Sequence, residues 1–319
     1  MVSDESAGAA VRLLTVADDV AGQRIDNFLL HQLKGVPRSL VYRILRSGEV
    51  RVNKGRTRPD YRLAAGDVVR VPPLRLPEAP PPARPGAGVI RDLAARVLYE
   101  EGGLLVLDKP AGLAVHGGSG VSWGVIEALR LARPDLPFVE LVHRLDRDTS
   151  GLLMIATKRS MLRELHEQLR QQGQVRKTYV ALLAGRLKGA EHRVSAPLLK
   201  TESGGERIVR VARDGKEAVT DFRVLERIGD TTLVEASPLT GRTHQIRVHA
   251  QYLGHPLLGD EKYGSDDLNR HYRQSAGLQR LFLHARDLQL RLPGATKKTE
   301  LHCALAADLA VVLERLRHA

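Results

Sequence analysis

The stretch His143-Arg144-Leu145-Asp146-Arg147-Asp148-Thr149-Ser150-Gly151 places two carboxylates and two guanidiniums, within residues 144–148, between an apolar lead-in and an apolar strand. Phe138, Val139, Leu141 and Val142 stand upstream. Downstream, Leu152, Leu153, Met154, Ile155 and Ala156 run on towards Lys158, the pattern of a short buried strand. An Arg/Asp-rich loop is ordinarily a solvated turn whose ion pairs are worth little. Here Asp146 alternates with Arg144 and Arg147 instead of lying in a block of like charge, and Thr149-Ser150-Gly151 turns directly into core. The stretch therefore reads as an active-site loop that holds Asp146 rigidly.

The rest of the chain bounds what such a loop can serve. At 319 residues two domains are expected, at least one with a full core. No apolar run approaches the roughly 20 residues needed to span a bilayer, and the start MVSDESAGAA is polar and acidic, unlike a signal peptide. The expectation is a soluble, cytoplasmic monomer without membrane association. The single cysteine, Cys303, excludes an internal disulfide and a cysteine-based zinc site, and reads as a small core residue. Forty-nine Lys+Arg against 37 Asp+Glu give a formal charge of +12 and a pI near 10.1, which favours a polyanionic partner. With aromatic residues at only 4%, a surface built on many stacked bases is not expected.

Along the chain, residues 1–21 show no sustained period and read as a flexible tail. Ile25, Phe28, Leu29 and Leu33 then recur at helical spacing. Pro37-Arg38-Ser39 breaks the run, with Ser39 as the expected N-cap of a second helix whose face is Leu40, Val41, Ile44 and Leu45 and whose end is Gly48. Val50 and Val52 alternate up to the turn Asn53-Lys54-Gly55, and Val69 and Val71 alternate after Gly66-Asp67. Nine Lys/Arg against two acids between Lys34 and Arg62 put +7 of the net charge into this small unit. That is a footprint for phosphates, with Arg38, Arg43, Arg46, Arg51 and Lys54 as candidate contacts.

The proline-rich run PPLRLPEAPPPARPGAG, residues 72–88, cannot form a helix or a central strand and reads as a semi-rigid linker, assigned to 76–88. A second domain is expected over 89–319. In it, Leu104–Leu107 is a buried strand leading into the turn Asp108-Lys109-Pro110-Ala111-Gly112. Residues 160–172 form an amphipathic helix stopped by Gly173, and Tyr179–Ala184 a further strand. HGGSG at 116–120 matches no phosphate-binding fingerprint and reads as a flexible loop. Three more segments stand beside the Asp146 loop. RKTYVAL (176–182) sets a tyrosine at a strand start, TGRTHQIRVH (240–249) turns into a helix ending at Gly254, and RLFLHA (280–285) is a late apolar strand.

In RIDNFL, SLVYRILRSGEVRVN and LAAGDVVRV, from about Gly22 to Val71, the first unit resembles the S4 RNA-binding domain. ELVHRLDRDTSG, RKTYVAL, TGRTHQIRVH and RLFLHA resemble the RluA/RluC/RluD group of pseudouridine synthases. With AGQRIDNFL, QLKGVP, HGGSG and GERIVRV, the likeness points to that group's large-subunit rRNA branch. The resemblance implies an α+β chain: an S4-like domain at 22–75 and a catalytic domain with a mixed, largely antiparallel sheet. It implies an isomerase that converts specific uridines of 23S rRNA, free or in a large-subunit precursor, to pseudouridine. A sister synthase of the group, acting on other uridines in rRNA or tRNA, is the alternative.

Such a reaction breaks N1–C1′ and forms C5–C1′ without a redox change or an added group, so no cofactor is expected. By resemblance Asp146 is the reacting carboxylate, at C1′, at C6 or at the 2′ proton. Arg247 pairs with it through a planar fork, Tyr179 stacks on the uracil, and Leu283 walls the pocket. Arg144 fills the space left by the extruded uridine, and Arg242 contacts phosphate. A metal hydrolase finds little support. His244 and His249 are five apart, about 140° around a helix, with no HExxH, HxH or DxD beside them. A non-catalytic RNA-binding protein would account for the charge but not for the Asp, Tyr and Arg motifs.

Overall fold

The computed structural model describes residues 11–33, 36–74, 84–118, 121–171, 173–203 and 206–319, and the chain divides into two units, residues 1–82 and 83–319. In the first unit, strand β1 (Arg12–Thr15) precedes helices α1 (Ile25–Gln32) and α2 (Arg38–Arg46). Strands β2 (Arg51–Val52), β3 (Gly55–Arg56) and β4 (Val68–Val71) follow, and the sheet order is β1-β4-β2-β3. The helices place Ile25, Phe28, Leu29, Val41, Ile44 and Leu45 against Val50, Val52, Val69 and Val71 in one apolar core. Helix α2 ends where Gly48 takes φ +75°, a left-handed residue that releases the chain from the helix. The β2–β3 hairpin turns on Asn53 (φ 49°) and Lys54 (φ 70°), the two positive-φ positions of a two-residue hairpin loop.

Two expectations are corrected here. Arg12–Thr15, assigned to the tail, is a strand paired antiparallel with Val68–Val71. Ser39 is not an N-cap. The helix starts at Arg38 with Pro37 as the capping position and no side-chain cap, because proline carries no side-chain oxygen to accept from the first turn. Of the linker assignment, residues 76–83 lie outside the described residues. Ala87 and Gly88, its last two residues, already belong to a helix.

The second unit follows as α3 (Ala87–Ala95), β5 (Val97–Glu101), β6 (Leu104–Lys109), α4 (Val125–Ala132), β7 (Glu140–Leu141), β8 (Ser150–Ala156) and α5 (Arg159–Arg170). Next come β9 (Arg176–Ala184), β10 (Glu191–Ser195), β11 (Leu198–Ser203), β12 (Glu206–Val211), β13 (Val219–Ile228) and β14 (Thr231–Pro238). The unit closes with α6 (Gln245–Tyr252), α7 (Asp266–Ser275), β15 (Leu283–Leu290), β16 (Thr299–His302) and α8 (Ala307–Arg317).

One sheet of ten strands runs β10-β13-β14-β9-β15-β8-β6-β5, with β16 beside β15 and β7 beside β8. Strands β11 and β12 form a separate hairpin. All its pairings are antiparallel except β15 with β8. Every residue of β8 is buried, as expected for a strand covered on both faces. Alternation sorts its side chains. Leu153 and Ile155 pack with Leu105, Leu107, Tyr179 and Ala181 under α3, α4 and α6, while Leu152 and Met154 pack with Leu104 and Val106 under α5. The first of these faces carries the residues of interest.

Candidate active site

Asp146 sits in the connection between β7 and β8, and that connection is held at several points. The Thr149 N–H donates to the Asp146 carbonyl (3.2 Å), and the Met154 N–H donates to His143 Nε2 (3.1 Å). Lys109, at the end of β6 and fully buried, donates from Nζ to the carbonyls of Pro110, Leu113 and Arg147, each at 2.8 Å. Burial pushes its pKa down to about 7 against the opposing pull of Asp148 and Asp146. Three carbonyls nevertheless match the three N–H groups of the charged form. Gly151 closes the loop at φ +103°. A Cβ there would lie 2.2 Å from the Ala285 carbonyl oxygen, so only glycine allows β8 to come this close to β15.

Facing this loop is the start of α6. Gln245 fixes the entry by accepting from Thr240 Oγ1 (2.7 Å) and the Arg242 N–H (3.0 Å), while its amide donates to Val219 O and Thr220 Oγ1. His244, the residue before the helix, is held at φ 54°, ψ 19°, a left-handed conformation that costs a non-glycine residue about 1–3 kcal/mol. The expected placement of His244 and His249 on one helix changes as a result. His244 lies outside the helix, and His249 is a structural residue, fully buried between Thr220 Oγ1 (2.8 Å) and Ala196 O (3.0 Å). Among the described residues no His/Cys/Asp/Glu group is arranged to hold a metal.

Arg247 reaches across from the first turn of α6. Its Nη1 donates to Asp146 Oδ2 at 3.2 Å. The planar fork expected to grip Asp146 is engaged elsewhere, which is a correction: Nε and Nη2 bind Asp260 Oδ2 and Oδ1 at 2.7 and 2.8 Å. Asp260 is buried and also accepts from the N–H groups of Lys262 and Tyr263, each at 2.9 Å. Burial works against both charges. The fork and the two N–H donors overcome it, so the Asp260 pKa falls below the usual carboxylate value, and the two aspartates push the Arg247 pKa further up. Arg247 also lies over the Tyr263 ring, 4.9 Å from its centroid. One side of the fork is thus spent on a fixed anchor, and Nη1 directs an N–H at Asp146.

His244 approaches the other carboxylate oxygen, with Nε2 3.8 Å from Asp146 Oδ1, and its Nδ1 lies 2.7 Å from the Tyr263 hydroxyl. Asp260, Tyr263, His244 and Lys109 escaped the sequence reading. GDEKYG at 259–264 has the composition of a solvated turn, and nothing local in it signals a buried carboxylate.

The remaining candidates sort by environment. Tyr179 is buried near the start of β9, and burial, reinforced by the charge of Asp146, raises its pKa, so it is a neutral phenol. Leu283 is buried in the same apolar cluster as Tyr179 and Leu145, which ties the loop to the sheet. Arg144 is exposed beside Asp146. Arg242 is exposed and donates from Nε to the Glu217 carbonyl at 2.9 Å. In the first unit, Arg43 and Arg46 line a groove of about 680 Å³ with Ser39, Tyr42 and Ser47. Arg51 and Lys54 are exposed at the hairpin, and the side chain of Arg38 lies outside the described residues. Arg51 stands directly across from both Arg70 and Arg56, so three arginines form one row over the sheet.

Comparison with known proteins adds three findings. A family model described as RNA pseudouridylate synthase matches residues 103–252, and an S4 domain model matches residues 23–69. The chain is 54% identical over 310 residues to the "Ribosomal large subunit pseudouridine synthase C" of Pasteurella multocida (strain Pm70), covering 97% of this chain and 94% of the relative. The protein of that name from Escherichia coli (strain K12) is 52% identical over 313 residues, covering 97% and 98%. Among solved structures, human RNA Pseudouridylate Synthase Domain Containing 4 superimposes with a TM-score of 0.61 at 29% identity, over 72% of this chain and 96% of that one.

Proposed function

The chain belongs to the RNA pseudouridylate synthase family, and we propose from that premise that it isomerises uridines of large-subunit ribosomal RNA to pseudouridine, with Asp146 as the reacting carboxylate. The observation that carries this reading is the pairing of Asp146 with Arg247 beside the buried, neutral Tyr179. The likeness to large-subunit rRNA enzymes over nearly the whole of both chains supports the substrate class over that of a sister synthase.

The chemistry balances without an outside reagent. The N1–C1′ bond breaks, the uracil turns, C5 bonds to C1′, C5 gives up its proton and N1 gains one. Every route through these steps needs a carboxylate fixed at the junction of sugar and base, and a surface that keeps the detached base from leaving. Asp146 supplies the first, its direction set by Arg247. Tyr179 and Leu283 supply the second, an aromatic face and an aliphatic wall from neighbouring strands. Extruding a uridine from folded RNA costs a few kcal/mol. The exposed Arg144 offsets part of it by occupying the vacated space, and Arg242 holds a flanking phosphate. Residues 22–75 dock on the RNA through the groove of Arg43 and Arg46 and through Arg38, Arg51 and Lys54, and residues 89–319 perform the reaction.

The test is release of tritium from large-subunit rRNA labelled at uracil C5, in the presence of a chelator, with the product positions mapped. Release with pseudouridine formed in that RNA is expected. Release from transfer RNA alone, or from neither, contradicts the reading.

A further inference from the structure

His244 is unexplained by packing alone. It is held in a left-handed conformation, its side chain is only 19% exposed, and it lies between two groups that determine its proton. The first is Tyr263. The Tyr263 hydroxyl accepts from the Val209 N–H at 3.0 Å and lies 2.7 Å from His244 Nδ1. A hydroxyl that already accepts from a backbone N–H has its own proton left to place, and His244 Nδ1 is the acceptor beside it. With Tyr263 donating to Nδ1, the proton of the neutral imidazole sits on Nε2. The second is Asp146, whose Oδ1 is 3.8 Å from that Nε2, while Oδ2 takes its bond from Arg247.

We propose that His244 is a positioning residue for the reaction: with its proton set on Nε2 by Tyr263, it is the second donor to the Asp146 carboxylate, closing on Oδ1 while Arg247 holds Oδ2. Burial supports this state by disfavouring the imidazolium, as do the neighbouring charges of Arg247 and Lys262, against Asp146 and Asp260. A neutral donor orients the carboxylate plane without cancelling its charge, which a second cation would do. Tyr263 coordinates both halves of the clamp, because its ring carries Arg247 on its face and meets His244 edge-on at 5.4 Å between centroids. The separation of 3.8 Å exceeds a hydrogen bond, and catalytic contacts of this kind tighten when substrate is bound. The inference rests on Asp146 being the reacting carboxylate.

Two substitutions separate position from fold. In His244→Asn the amide nitrogen reaches only as far as Nδ1, so the donor to Asp146 is lost, while asparagine tolerates the left-handed backbone better than histidine does. In His244→Gln the amide nitrogen reaches about as far as Nε2 and restores the donor. Single-turnover tritium release at saturating enzyme, RNA affinity and thermal midpoint are measured for both, with Asp146→Asn alongside. The expected result is a loss of about 10²-fold in rate for His244→Asn, with affinity and midpoint retained, and recovery of most of that loss in His244→Gln. Equal rates for the Asn and Gln variants, whether high or low, overturn the role of His244. Release by Asp146→Asn at the wild-type rate overturns instead the reading of Asp146 on which it rests.

Discussion

Two sets of arginines, one in each unit, stand in opposite environments. In the first unit Arg56, Arg51 and Arg70 line up across neighbouring strands, a juxtaposition of like charges that destabilises a sheet. Most of that surface is exposed, and Arg43 and Arg46 line an open groove beside it. In the second unit Arg247 is buried, and its N–H groups are committed to Asp260 and Asp146 at 2.7 to 3.2 Å. The first arrangement waits for negative charge and suits any phosphate backbone. The second has its anion built in and sets one direction. On the proposed function, binding and chemistry fall to arginines of different environments, and each can be perturbed alone.

The largest effect is expected at the fixed end. Asp146→Asn keeps the shape of the side chain and removes the carboxylate, so tritium release should fall by about 10⁴-fold while RNA affinity stays within a few fold. Asp260→Ala strands a buried guanidinium, and denaturant unfolding should show a loss of about 3–5 kcal/mol. The same residue gives the pH dependence a sign. Because its folded pKa lies below the ordinary value, its contribution to stability is present above about pH 4 and is lost as pH falls through the folded pKa. An acid unfolding curve for Asp260→Asn should lack that component.

At the open end the effects are smaller and depend on salt. Replacing Arg43 and Arg46 together by Ala should weaken rRNA binding and reduce the slope of log affinity against log salt by about 2, as two phosphate contacts are lost. An unchanged slope would remove the groove from the docking surface. Arg242→Ala should be milder still, a loss of affinity of a few fold, since one exposed guanidinium contributes one contact.

The same contrast governs what could be read from the sequence. The apolar runs Leu104–Leu107 and Leu152–Ala156 announce buried strands because burial on both faces leaves no polar alternation. The +7 cluster is legible because exposed charge needs no partner to be recognised. Strand β1 was hidden, since Arg12–Thr15 is a short edge strand with no buried residue, specified by pairing with a distant strand. Helix α6 is legible through Ile246, Ala250 and Leu253, which reach the core at helical spacing, but it also buries Gln245, Arg247 and His249, and no apolar period records that. Asp146 and Arg247 were found through motifs, but the anchor at Asp260 depends on a fold that makes a polar turn inaccessible. No local pattern records that. The left-handed His244 is hidden for the same reason, because its conformation follows from the contacts around it.

The central claim is that Arg247 acts through the geometry of a buried, anchored fork and not through its charge. Arg247→Lys keeps the charge and removes the fork. Single-turnover tritium release at saturating enzyme, with RNA affinity measured across salt, tests it most directly. The account predicts a rate lower by about 10²-fold, with affinity and salt slope unchanged. A full rate at saturation together with a reduced salt slope would contradict it and make Arg247 a phosphate contact like the arginines of the first unit.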